Sequence, residues 1–186
     1  MSLRVRDRLL IATSELMRRH GVAGTAVSEI LTRSGVSRRS IYLNFPGGKL
    51  ELVDEATRAS GEELTKALDA VLATEDPLTE FTQMWSALLT ETDFDAGCPI
   101  VAAALARSEA PQAADQAGNI FASWRDRIAH LLVDRGIEPA IAESLAVTIL
   151  SAIEGAVVIA QAQRSTQPVD EVGVRLAELV RLHMRE

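Results

Sequence analysis

The sequence predicts an all-α protein of about nine helices, arranged as a small three-helix N-terminal head and a larger helical body. Three observations carry this. Ala, Leu, Glu and Arg dominate while aromatic residues make up only 4%; apolar residues recur at helical rather than alternating spacing; and Pro and Gly fall at intervals that punctuate helices. At 186 residues the chain can bury a substantial core, either as one medium domain or as a small module fused to a larger one.

Val5, Leu9, Ala12 and Leu16 place a first helix over residues 3–19, which Gly21 stops just after His20. Thr25 is the expected N-cap of a short helix from Ala26 to Arg33, whose apolar face is Val27, Ile30 and Leu31. Ser34-Gly35-Val36-Ser37 reads as a tight connection, with glycine where a left-handed backbone is cheapest. Ser37 then caps a second short helix, Arg38 to Asn44, which Pro46 ends. A fourth helix starts at Lys49, after Gly47-Gly48, and runs toward Ala73 with an apolar near end (Leu50, Leu52, Val53, Ala56) and a polar far end. A domain division is expected around its start, between residues 1–48 and 49–186. Further helices are expected over 77–92, introduced by Asp76-Pro77, over 100–107, from Pro111 to about Arg135, from Glu138 or Pro139 to about Arg164, and from Asp170 to Met184 after a break at Gln167-Pro168.

Net charge is −7, which alone argues against a polyanionic partner. Its distribution reverses that reading. Residues 1–50 hold nine basic side chains (Arg4, Arg6, Arg8, Arg18, Arg19, Arg33, Arg38, Arg39, Lys49) against three acidic ones, a local +6 that leaves −13 for the rest. A basic head on an acidic body suits a phosphate-binding module joined to a domain that does not touch nucleic acid. The single cysteine, Cys98, excludes an internal disulfide framework and fits a reducing cytoplasm. The N-terminal stretch lacks the apolar run of a signal peptide. The most apolar segment, Leu145 to Ala160, is interrupted by Glu154 and is shorter than the ~20 residues of a membrane span, so it reads as a buried helix, with no membrane association.

Two short helices joined by a glycine-containing turn and backed by a longer helix form a helix-turn-helix unit, whose second helix enters the major groove. Ile41 and Phe45, four apart, should face the core. Arg38, Arg39, Ser40, Leu43 and Asn44 are left facing outward with Ser37 at the cap. Arginine suits guanine, asparagine suits adenine, serine suits either, and Leu43 suits a thymine methyl. Tyr42, Lys49 and Thr25 are better matched to phosphate.

The stretches Thr25-Ala26-Val27-Ser28-Glu29-Ile30 and residues 34–52, Ser34 to Leu52, resemble the DNA-binding signature of the TetR (tetracycline repressor) family. The most specific part is the spacing of Gly-Val-Ser, Ile-Tyr, Phe-Pro and Lys-x-x-Leu. The resemblance implies backbone contacts for Thr25, Tyr42 and Lys49, and recognition-helix positions for Arg38, Arg39, Ser40, Leu43 and Asn44. Many members carry a small residue in place of Arg39, and histidine or tyrosine in place of Leu43 or Asn44, so operator preference does not transfer. More loosely, Gly97-Cys98-Pro99-Ile100, residues 121–125, Glu154-Gly155-Ala156 and Arg164-Ser165-Thr166 are similar to a branch that includes lincomycin-resistance and flavonoid-responsive repressors.

The resemblance implies a homodimer through a four-helix bundle of the last two helices of each subunit. Ile141, Leu145, Ile149, Ala152 and Ala156 form one apolar stripe there, and Val172, Leu176, Leu179, Val180 and His183 the other. The expected partners are thus a double-stranded DNA operator, a second copy of the chain and a small apolar or aromatic effector. For the effector the available lining is Phe81, Trp85, Phe94, Phe121 and Trp124, with Met84, Ile100 and Ile128 beside them and Glu154, Asn119 or Gln161 as polar points. Effector binding is expected to move the recognition helices through the fourth helix. A regulator without a small-molecule ligand, controlled by a protein partner, is the alternative, and a closed core around Trp85 and Trp124 would favour it. No cofactor, metal or catalytic group is expected. His20, His130 and His183 lie on three separate helices without ligand spacing, Cys98 has no neighbouring base, and Glu62-Glu63 reads as a solvated face.

Overall fold

In a computed structural model describing residues 3–184, the described residues form nine helices: α1 Val5–Gly24, α2 Val27–Ser34, α3 Arg38–Asn44, α4 Lys49–Leu72, α5 Pro77–Glu91, α6 Pro99–Ala104, α7 Pro111–Asp134, α8 Pro139–Gln163 and α9 Gln167–His183. They group into two compact units. The first comprises the chain up to Glu63 together with Cys98–Ile120; the second comprises Leu64–Gly97 and the chain from Phe121 onward. The divisions therefore fall inside α4 and inside α7, and α6 belongs with the N-terminal unit, where it packs against α1.

In the first unit, Leu9, Ala12 and Leu16 of α1 form one apolar face that meets Ile30 of α2, Ile41 and Phe45 of α3, and Leu52 of α4. Gly21 interrupts α1 with φ +68, which is why the helix effectively stops where the sequence places the stop. Thr25 is not the cap of α2. With Gly21 leaving the helical backbone, its carbonyl is orphaned, and the Thr25 hydroxyl donates to it at 2.7 Å; Ala26 occupies the N-cap position without a side-chain bond. Gly35 closes α2 in the left-handed conformation, φ +63, as the turn requires.

In the second unit, proline at the first turn starts α5, α8 and α9. Asp76 and Glu138 accept from the backbone N–H groups of Thr79 and Ile141. Pro168 lies in the first turn of α9, so the last helix begins at Gln167 rather than at Asp170. Gly173 lets α9 approach α5: an added Cβ would meet Thr82 Cγ2 at 2.7 Å.

Two expectations need correction. The far end of α4 is not polar, because Leu64, Leu68, Val71 and Leu72 recur on one face and line a cavity. Of the ten residues on the two stripes assigned to dimerisation, five, Leu145, Ile149, Ala156, Leu176 and Val180, are buried within the chain itself, whereas Ile141 and His183 are exposed. α8 is apolar on two faces, and periodicity alone does not say which one turns inward. α8 as a whole, a 25-residue helix with mean hydropathy 1.9 over its most apolar window, is long and apolar enough to cross a bilayer, while Leu145, Ala146, Ile149, Ile153 and Val157 on it are buried. Its inward face packs against α5 and α9.

Candidate nucleic-acid interface and ligand cavity

α3 is seven residues long and would not persist alone. Ile41 (1% exposed) and Phe45 (0%) anchor it, each contributing about 1.5–3 kcal/mol of burial. Ser37 Oγ accepts from the Ser40 N–H at 3.3 Å and lies 3.0 Å from Ser40 Oγ, fixing the first turn. With one side buried, the other presents Arg38, Arg39, Tyr42 and Leu43 to solvent, with Leu43 70% exposed. Ser40 and Asn44 are half-buried, and the Asn44 amide donates to the Ser40 carbonyl at 2.8 Å.

The structure also sorts the basic residues that the sequence only counts. Arg6 donates to the Asn44 carbonyl and to Glu55. Arg8 donates to the carbonyls of Ser34 and Gly35. Arg19 and Arg33 both meet Glu15, Arg4 meets Asp7, and Lys49 Nζ donates to the Val22 carbonyl at 3.1 Å. Arg38 and Arg39, by contrast, make no hydrogen bond or ion pair among the described residues. Glu15 is the hub of one such cluster. Partial burial pushes its carboxyl up, but the Arg19 hydrogen bond and the charges of Arg19, Arg18 and Arg33 outweigh this and hold it below the usual range. Thr25 is set back from this surface, fully buried with its hydroxyl committed to Gly21.

The second unit encloses a cavity of about 230 Å³. Phe81, Trp85, Trp124 and Glu154 line it together with Met84 and Ile128, so six sequence-selected residues converge from three helices, α5, α7 and α8. Phe94 and Phe121 do not. Phe121 packs edge-on against Trp124, with centroids 5.5 Å apart. Phe94 sits in the turn after α5 at φ +60, and its carbonyl accepts from Gln161, which removes Gln161 from the candidate polar points. Ile100 and Asn119 belong to the other unit. The walls that sequence reasoning missed are the second half of α4 and the inner face of α9, Ala177, Val180 and Arg181. The two indoles differ: Trp124 Nε1 donates to Thr65 Oγ1 at 2.8 Å, whereas the buried Trp85 Nε1 has no hydrogen-bond partner among the described residues.

A basic, outward-facing helix on a three-helix head narrows the fold to a DNA-binding one, and the comparisons decide the family. The profile described as "Bacterial regulatory proteins, tetR family" matches residues 9–56. The profile described as "Transcriptional regulator LmrA/YxaF-like, C-terminal domain" matches residues 75–175, more than half of the chain. The chain is a TetR-family transcriptional regulator. An uncharacterized HTH-type transcriptional regulator of Mycobacterium tuberculosis is 32% identical over 188 residues, covering 97% of this chain and 96% of its own. The HTH-type transcriptional regulator LmrA of Bacillus subtilis is 23% identical, covering 95% and 96%. The solved regulatory protein TetR from Rhodobacter sphaeroides superposes with a TM-score of 0.85 at 20% identity, covering 94% of this chain and 97% of that one. This TetR regulator thus carries its DNA-binding head at the N-terminus and the LmrA/YxaF-like domain after it. It is a transcription factor rather than an enzyme.

Proposed function

We propose that this TetR regulator represses transcription in the cytoplasm by binding a palindromic operator as a homodimer, and that a small, largely apolar or aromatic molecule entering the cavity releases it. The observation that carries the first half is the pair Arg38 and Arg39, exposed beside Ser37, Ser40, Tyr42, Leu43 and Asn44 on a helix held by Ile41 and Phe45. These residues read bases and Tyr42 and Lys49 take phosphates, Lys49 with the N–H bonds not given to Val22. Thr25 is a weaker candidate, because reaching phosphate would cost its bond to Gly21.

One such helix reads too few base pairs for useful specificity, so two act together about one helical turn apart. The surface we assign to the dimer is the outer side of α8, where Ser144, Thr148, Ser151, Gly155, Val158 and Ala162 alternate at spacings of four and three, all exposed. Val147, Ile159 and Val174 flank them, each about half exposed. Small residues along such a seam admit close helix approach.

The second half rests on the cavity. Its walls are aromatic and aliphatic, and Glu154, Asp76, Arg135 and Arg181 supply the few polar points, the composition of a small-molecule site. Control by a protein partner alone would be better served by a filled core around Trp85 and Trp124. α4 contributes to both units, and we assign it the coupling: effector binding favours a state in which the recognition helices no longer fit adjacent grooves, with a shift bounded by the effector's differential affinity for the two states.

To test this, DNA bound by the full chain is selected from a random pool, and binding is measured for wild type, Arg38→Ala and Tyr42→Ala. Both variants should lose about tenfold or more in affinity. A compound library is then screened by quenching of Trp85 and Trp124 fluorescence, and hits are added to the DNA complex. Hits that quench yet leave operator affinity unchanged would refute induction; a wild type that enriches no sequence would refute operator recognition.

A further inference from the structure

We infer that Arg6 is a positioning residue for the recognition helix, a guanidinium fork that sets the pose of α3, and not one of the cations that meets phosphate. The carbonyls at a helix C-terminus lack intrahelical partners and carry partial negative charge. In the head, cations from other helices occupy the ends of all three leading helices: Lys49 at the end of α1, Arg8 at the end of α2 and Arg6 at the end of α3. Arg6 alone bridges two elements. Its Nη1 donates to the Asn44 carbonyl at 3.1 Å, its Nη2 donates to Glu55 Oε2 on α4 at 2.8 Å, and its Cζ lies 4.6 Å from the centroid of the Phe45 ring.

Phe45 is fully buried, so the stacked guanidinium rests on a fixed platform. Glu55 is fixed in turn by Arg58, 2.5 Å away on the same helix. The last turn of α3, which carries Leu43 and Asn44, is therefore referenced to α4 through one planar group. Lysine cannot reproduce this, because a single ammonium lacks the fork that reaches two acceptors while stacking. A base-reading helix must hold its side chains to within a fraction of an ångström, so losing the fork should degrade discrimination between sequences more than attraction to DNA as such.

The test uses the full chain, a duplex selected by wild type from a random pool and a scrambled duplex of the same composition, titrated across a series of salt concentrations. Arg6→Ala and Arg6→Lys should each weaken the selected duplex by about tenfold or more while changing the scrambled duplex by less than about twofold and leaving the salt slope unaltered. Glu55→Gln should also lose discrimination. If Arg6 met phosphate, Arg6→Ala would weaken both duplexes alike and lower the slope by about one, and Arg6→Lys would restore binding. Glu55→Gln, which removes a negative charge, would then tighten both. Either that pattern or an unchanged selected-duplex affinity in all three variants overturns the inference. Far-UV circular dichroism identifies a variant that has merely unfolded, and Glu55→Gln, which spares the Phe45 platform, keeps the question open to test in that event.

Discussion

Replacing Gly35 with alanine should be among the most damaging single-methyl changes in the head, and its cost divides into two separable parts. Gly35 holds φ +63 and ψ 32, a conformation that costs an L-residue roughly 1–2 kcal/mol. The added Cβ would also stand 2.8 Å from Arg8 Nη2. That nitrogen is the end of a flexible side chain and can retreat, but only by giving up its bonds to the carbonyls of Ser34 and Gly35. Charge-assisted bonds of this kind are worth about 1.5–3 kcal/mol when buried, and partial exposure here argues for the low end. The total is therefore about 2–4 kcal/mol for Gly35→Ala in the wild-type background. In an Arg8→Ala background only the backbone part remains, about 1–2 kcal/mol. Urea unfolding followed by far-UV circular dichroism gives the four stabilities of the double-mutant cycle, and hydrogen exchange in peptides covering residues 27–45 locates the loss in α2 and α3. Equal costs in the two backgrounds, with no coupling energy, would refute the claim that Arg8 clamps this turn.

Ile41→Ala removes a fully buried anchor of the recognition helix and should cost about 2–4 kcal/mol, read by urea unfolding, together with DNA binding. Glu15→Gln breaks the cluster with Arg18, Arg19 and Arg33, a loss of about 1 kcal/mol at neutral pH. Because the Glu15 carboxyl is held below its ordinary value, this stabilisation is present above the unfolded pKa, about 4.3, and disappears as pH falls through the lower folded value. The gap between wild type and variant, followed by thermal melting against pH, should close on acidification; a gap that widens would show the sign to be wrong. Gly155→Glu adds a side chain where nothing lies within 4 Å of the new Cβ, so helicity should survive while light scattering shows the mass halved; a dimer of unchanged stability would place the interface elsewhere. Trp85→Phe keeps an aromatic wall and deletes an N–H without a partner among the described residues, so urea unfolding should find the second unit no less stable, whereas a loss above about 1 kcal/mol would reveal a hidden partner.

What could be read from the sequence follows how local each determinant is. Ser37, Gly35 and the Ile41/Phe45 pair act within a few residues, and the bounds of α3 follow from them. The cavity was half legible: Phe81, Trp85 and Trp124 stand out as rare aromatics, whereas Leu64, Leu68, Val71 and Leu72 are diluted among Glu62, Glu63, Lys66 and Asp69 and mark a wall only once α4 is seen to line the space. That α6 joins the head depends on packing between segments some ninety residues apart, for which no local signal exists. Charge shows the same limit most sharply. The +6 of the head pointed correctly to a polyanion, yet a sum has no direction, and the orphaned carbonyls at helix ends compete with phosphate for the same cations. The competition has a measurable consequence. Nine phosphate contacts per protomer would give a salt slope near −8, whereas three, the limit if Arg38 and Arg39 touch phosphate as well as bases and Lys49 does so beside its bond to Val22, would give about −3. Because Arg6, Arg8, Arg19 and Arg33 already have protein partners, the shallower value is the expected one, so a head that is strongly basic by composition should bind DNA with only moderate sensitivity to salt.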